Sequence, residues 1–451
     1  MTDVAVPAKW EWFPQSRFGL FIHWGPYAAL GRGEQVANRE NIDHREYAEA
    51  ACRWSPSHYD ARAWADVAVR AGMKYAVLTT RHHDGYCLWD SAYTDYSSAC
   101  QAPKRDFVAE YVEAFREAGL RVGLYFSVGD FRVPGFWAGP AGDPEGFARF
   151  REYNHNQVRE LLTKYGHIDV MWFDKAEHHS TLDWRSPELV KMMRELQPHI
   201  LMNQRLGHLP PEDVPADERS SATKGGGAEA AKLGDFANSE HSTRAHPGML
   251  WESCLVSTWR LWGYAEGERW RPTEQILDSL VEVASRTGNL LLNVGPDGEG
   301  RIPAQFVERA EDIGRWLAVH GECIYGSEGG NVCEFITYGH QIVKGNYLYL
   351  VIRHWDRSDS LRLSGLATPV RGATLITNGQ ELQLEQQDDG VVVRGLPSEP
   401  PTPLFPVIRL ECDGPPTAAP WARGPYYGTV EHGLEMARRR GSSVWVDGVE
   451  R

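Results

Sequence analysis

Residues 75–85 read YAVLTTRHHDG. The first six are the apolar, aromatic and β-branched kind that form a strand buried on both faces. The chain then turns abruptly polar at Arg81, His82, His83 and Asp84. A buried strand with a polar end fits a parallel barrel, whose active site is built at the C-terminal ends of its strands.

The pattern recurs on both sides. RFGLFIHWG (17–25), KYAVLTTRHH (74–83), RVGLYFSVG (121–129), IDVMWFDK (168–175), HILMNQR (199–205), MLWESCL (249–255) and NLLLNVGP (289–296) are candidate strands. Helical stretches lie between them. In YDARAWADVAVRAG, Ala61, Trp64, Ala68 and Ala71 share one face. In RIPAQFVERAEDIGRWLAVHG, Pro303 suits a first turn, Phe306, Ala310, Ile313 and Leu317 form the stripe, and Gly321 suits the stop. Residues 1–327 therefore predict a catalytic α/β domain, a (β/α)8-like (TIM-type) barrel of regular or irregular closure. An open nucleotide-binding sheet would carry a glycine-rich loop after its first strand, where this chain has HWGPY.

Residues 206–248, rich in Pro, Gly, Ser and charge, show no helical or strand period and read as a long irregular loop. From 328 to 414 short β-rich runs alternate with turns such as Asn378-Gly379 and Asp389-Gly390, which predicts a small antiparallel β-sandwich. The tail, 415–451, holds a short helix-like piece and is given no role.

Composition bounds the chemistry. A formal charge of −14 argues against nucleic acid or an anionic membrane as partner and is compatible with a neutral ligand. No basic-then-apolar leader is read at the start, and the seven scattered cysteines contain no CxxC pair; both readings point to a cytoplasmic protein with free thiols. A homo-oligomer is compatible with all of this.

The strand ends then supply the candidates. They deliver His23 and Trp24; His82, His83 and Asp84; Tyr125, Ser127 and Asp130; Trp172 and Asp174; Asn203 and Arg205; Trp251 and Glu252. Imidazoles and an arginine for hydroxyls, aromatic faces for C–H surfaces and two carboxylates are the requirements of glycoside cleavage. Asp174, ending an apolar strand, is the candidate nucleophile, with Arg205 to keep it ionised. A helix cap is the plain alternative for that aspartate. Asp174, Glu177, His178 and His179 in DKAEHH raise a metal site, but neither HExxH nor HxH spacing is present, so no metal and no cofactor are expected.

The motifs FGLFIHWGPYAALGRGE, KYAVLTTRHHDGYCLWDSAYTDYSS, VGLYFS, DVMWFD, MLWESC…LWGY and SRTGNLLLNVGPDGEGRIP…IGRWLAVHGECIYGS, in that order, resemble the α-L-fucosidases of glycoside hydrolase family 29. The resemblance implies a retaining exo-glycosidase that releases terminal fucose from an oligosaccharide or small fucoside through a fucosyl-Asp174 intermediate. By position it implies that His23, Glu34, His82 and His83 grip the sugar's hydroxyls, that Tyr125 and Trp172 line its site, and that Trp262 packs near the C6 methyl. In GDFANSEH it places the acid/base at Glu240, with Glu252 as runner-up. Three departures stand out: Gln35 replaces a usual tryptophan, Lys175 replaces the glycine of WFDG, and Asn238-Ser239-Glu240 replaces TPE. They keep two alternatives open, a non-catalytic fucose-binding relative and a glycosidase for a related sugar such as a galactoside.

Overall fold

A computed structural model describes residues 6–208, 233–330, 332–333, 338–388, 390–419, 422, 445–446 and 449–450. Two compact units emerge, 1–283 with 288–317, and 284–287 with 318–451. They part inside the helix Ala304–Ile324, whereas the expected boundary at 327 follows that helix's end.

Eight parallel strands build the first unit: β1 Phe18–Ile22, β2 Tyr75–Arg81, β3 Arg121–Ser127, β4 Val170–Asp174, β5 Leu201–Met202, β6 Phe236–Glu240, β7 Leu250–Val256 and β8 Asn289–Val294. They hydrogen-bond in the order β5-β4-β3-β2-β1-β8-β7-β6. An isolated bridge between Asn203 and Phe236 joins the two ends, with Asp235 N donating to Met202 O at 2.7 Å. The expected barrel is present. Every residue of β1, β2, β7 and β8 is buried, as the apolar runs require.

Two strands depart from the sequence reading. β5 is only two residues long, and β6 lies inside the stretch expected to be irregular. FANSE has one large apolar residue, so its pairing with β7, and not its pattern, makes it a strand. Residues 209–232 of that stretch lie outside the described residues. The helix Ala304–Ile324 also runs through the expected stop at Gly321, ending where Cys323 and Ile324 are buried.

Because side chains alternate along a strand, every second residue enters the barrel. Phe21, Tyr75, Val77, Tyr125, Val170, Trp172, Leu201, Phe236, Leu250, Cys254 and Leu291 form one interior cluster. Phe13 closes its lower end, with ring centroids 5.0 Å from Phe236 and 5.8 Å from Tyr75. At the upper end, the same alternation brings functional side chains into register.

Seven antiparallel strands form the second unit: β9 Gly339–Lys344, β10 Tyr347–Ile352, β11 Ser360–Ser364, β12 Val370–Leu375, β13 Gln380–Gln387, β14 Gly390–Arg394 and β15 Val407–Cys412. β13 pairs its first residues with β12 and its later ones with β14, passing from one half-sheet to the other. The two halves share one core that includes Leu350, Leu363, Leu375, Val393 and Leu410. Of the tail, Thr417 O accepts from Ala367 N at 2.8 Å, and Trp445–Val446 pairs with Val449–Glu450. The helix-like piece expected there lies outside the described residues.

Candidate active site

At the C-terminal ends of the barrel strands a cavity of about 490 Å3 is lined by His23, Gln35, His82, His83, Tyr125, Trp172, Asp174, Arg205, Glu240 and Trp262. These are ten of the twelve positions that the family resemblance marks for the site; Glu34 and Glu252 are the other two. Phe21, Cys254, Lys175 and Glu177 also line it. The first two escaped notice because an apolar side chain in a strand reads as core. Of the other two, Lys175 stands out in the sequence only as a departure from WFDG, and Glu177 only as part of a metal cluster.

Asp174, the last residue of β4, has both oxygens engaged. Oδ1 accepts from Arg205 Nη1 and from the Lys175 backbone N–H, each at 2.9 Å, and Oδ2 accepts from the Tyr125 hydroxyl at 2.8 Å. Burial alone would raise its pKa. The Arg205 guanidinium, with the Tyr125 hydrogen bond, outweighs that and holds the carboxylate well below its usual range. Burial raises the Tyr125 phenol, which therefore keeps its proton and donates.

Arg205 reaches further. Its Nη2 donates to Glu240 Oε2 at 2.6 Å, so one guanidinium holds both carboxylates, while its plane lies 5.0 Å from the Trp172 ring. Glu240 ends β6 and is partly exposed at 39% of its side chain, against 17% for Asp174.

Two of the three cavity histidines, His23 and His83, are fixed from behind, while His82 stacks on Tyr125 at 5.7 Å. Asn293 Nδ2 donates to Trp262 O at 2.7 Å, which turns its Oδ1 toward His23 Nδ1 at 2.6 Å. The proton of His23 therefore sits on Nδ1, and Nε2 is left an acceptor. Ser127 donates to Gly129 O at 2.6 Å and accepts from His83 Nδ1 at 2.7 Å, leaving His83 Nε2, 3.6 Å from Asp174, in the same state. Burial lowers all three imidazoles, His23 to about 4 and His83 to about 3. They are neutral at physiological pH, so His23 and His83 each offer Nε2 as an acceptor to a hydroxyl.

Two expectations change place. Glu34 stands behind the cavity wall, accepting from the backbone N–H groups of Trp262 and Gly263 at 3.1 and 3.0 Å and from Arg39 at 3.1 Å. A carboxylate that anchors two backbone amides fixes Trp262 and does not line the cavity. Glu252 is the third residue of β7, one inward layer below Cys254, so it is no strand-end residue. It is buried beneath the cavity, accepting from the Tyr75 hydroxyl and, at 2.9 Å, from Trp172 Nε1. Burial pushes it up to about 7.

Several strand-end residues serve the frame. A register shift in β2 between Thr79 and Arg81 turns Arg81 outward, where it donates to Ser127 O and Asn154 Oδ1, each at 2.6 Å. Asp84 accepts from Tyr47, Asp130 pairs with Arg132, Asn203 ties β4 to β5, and Trp24 and Trp251 pack in the shell. The residues of DKAEHH diverge, since Glu177 pairs with Lys175, His178 meets Phe136 and His179 bonds Phe136 O. Among the described residues no group of three or more His, Cys, Asp or Glu could hold a metal ion.

The family model for α-L-fucosidase matches residues 3–322. The chain belongs to the α-L-fucosidase family. It is a glycoside hydrolase of that family. A tissue α-L-fucosidase of Bos taurus is 28% identical over 423 residues, covering 87% of this chain and 86% of its own. Among solved structures, α-L-fucosidase isoenzyme 1 of Paenibacillus thiaminolyticus matches with a TM-score of 0.79 and 36% identity, over 90% of this chain and 99% of that one. A fucosidase of Bacteroides thetaiotaomicron, trapped as a covalent intermediate with a glutamate-to-glutamine mutant, matches at 0.79 and 26%, over 90% and 96%.

Proposed function

We propose that the chain is a retaining exo-α-L-fucosidase in which Asp174 is the nucleophile and Glu240 the acid/base. The observation that carries this is the single guanidinium of Arg205 bound to both carboxylates. Sharing one planar group keeps them close, which favours the short spacing of about 5–5.5 Å used in double displacement over the wider spacing of inversion. The covalent intermediate trapped in the Bacteroides thetaiotaomicron relative supports the same course.

In the first step an Asp174 oxygen bonds to the anomeric carbon as the glycosidic C–O bond breaks, and Glu240, in its protonated form, gives the proton on Oε1, the oxygen Arg205 does not hold, to the leaving oxygen. In the second, Glu240 takes a proton from water, the water oxygen bonds to the anomeric carbon, and Asp174 leaves. Neutral His23, His82 and His83 position the ring hydroxyls. A floor closed by Trp172 and Glu252 admits only a chain end, hence exo action. A fucosylated oligosaccharide or small fucoside fits this pocket.

Aryl α-L-fucoside turnover tests the assignment. Asp174→Ala is expected to lose roughly 10^4-fold or more and to be rescued by azide. Glu240→Ala is expected to lose about 10^2–10^4-fold on poor leaving groups and far less on activated ones. Glu252→Ala showing that leaving-group dependence in place of Glu240→Ala would sink the acid/base assignment. A galactoside cleaved as fast as the fucoside would sink the fucose reading, since Trp262 then fails to distinguish a methyl from a hydroxymethyl group.

A further inference from the structure

Behind the lining residue His83 lies a cluster of aromatic rings that reaches the surface at Trp137. Trp137 lies on the helix Pro134–Gly142, between β3 and β4, and is 51% exposed. Its orientation is fixed. Nε1 donates to Phe131 O at 3.0 Å, and the ring lies 5.0 Å from Phe131, 5.0 Å from Phe136 and 5.8 Å from His178.

Two lines of contact tie this tryptophan to the cavity. The Phe131 ring is 5.0 Å from that of His83, which lines the cavity. His178 follows Glu177, which lines it together with Lys175, and those two pair at 3.6 Å. Lys175 has φ 59°, a left-handed conformation that costs a lysine more than a glycine. The chain thus holds an ammonium and a carboxylate in the cavity lining, the carboxylate one residue away from His178, whose ring meets a half-exposed tryptophan. A pyranose offers a matching pair of surfaces, an apolar C–H face and an edge of hydroxyls.

The occupant of the cavity is fucose on the reading above, and this inference rests on that reading. The group one ring further out is the sugar to which fucose is joined. We infer that Trp137, with the Lys175–Glu177 pair beside it, forms a leaving-group subsite that stacks a second pyranose. The protein is accordingly built for fucosyl oligosaccharides more than for small fucosides.

α-L-Fucosyl fluoride, whose leaving group is one atom, cannot reach Trp137 and serves as the internal standard. Trp137→Ala is expected to lower kcat/KM on fucosyl disaccharides by roughly five- to tenfold, chiefly through KM, and Trp137→Phe to recover part of it. Turnover of fucosyl fluoride by both variants stays within about twofold of wild type. Equal loss on both substrates overturns the subsite, as does no loss across a panel of differently linked fucosyl disaccharides. Wild type inert toward fucosyl fluoride overturns the fucosidase reading itself.

Discussion

At the scale of single residues, the site separates its carboxyl groups by environment. Asp174 is largely buried yet held ionised by Arg205 and Tyr125, while Glu252, fully buried, meets only neutral donors and is pushed up to about 7. That contrast has a thermodynamic sign. A carboxyl whose folded pKa is raised favours the folded state fully below its unfolded value near 4.5, and the contribution is lost as pH rises through 7. We expect Glu252→Gln to remove this dependence, so that wild type loses on the order of 3 kcal/mol relative to the variant between pH 4.5 and 8. His23, which becomes harder to protonate on folding, pulls the opposite way below pH 6.5, but it is common to both proteins and cancels. Denaturant unfolding at several pH values would measure the difference. Parallel curves for the two proteins would show that Glu252 is not the source.

At the scale of elements, close packing between neighbouring strands sets the barrel interior. Gly19 of β1 pairs with Tyr75 of β2, and a Cβ there would meet the Tyr75 ring at 2.5 Å. The ring cannot swing away while its hydroxyl bonds Glu252. Gly19→Ala should therefore destabilise by about 1–3 kcal/mol, read as a lower denaturant midpoint at unchanged slope. An unshifted midpoint would mean that the barrel yields there. The same elements show what a sequence can reveal. Seven strands were legible because apolar runs with polar ends carry their own signal. β6 was not, since Phe236–Glu240 is made a strand by β7 on one side and by the bridge to Asn203 on the other. Strand ends pointed to His23, Tyr125, Asp174 and Arg205. The pattern gave no means to tell that Glu34 turns toward backbone amides, that a register shift sends Arg81 outward, or that Glu252 lies one layer too deep. Each of those depends on a partner distant in the chain.

At the scale of the whole molecule, 61 acidic against 47 basic side chains give a field of one sign. A neutral fucoside should feel little of it, so its kcat/KM is expected to hold steady between ~20 and ~300 mM salt. A sulfated fucoside should improve several-fold over the same range as the Debye length shrinks. Steady-state kinetics on the two substrates would settle this, and a salt-independent sulfated fucoside would place the negative charge away from the approach. One further consequence follows from the closed floor. With Phe13 below and the Trp172–Glu252 contact above it, the described residues close the chamber from beneath and leave its doorway on the opposite side. The leaving group stands in that doorway and must depart before water enters and before fucose follows. Release is thus ordered, and free fucose should queue at the same threshold as incoming substrate, acting as a competitive product inhibitor.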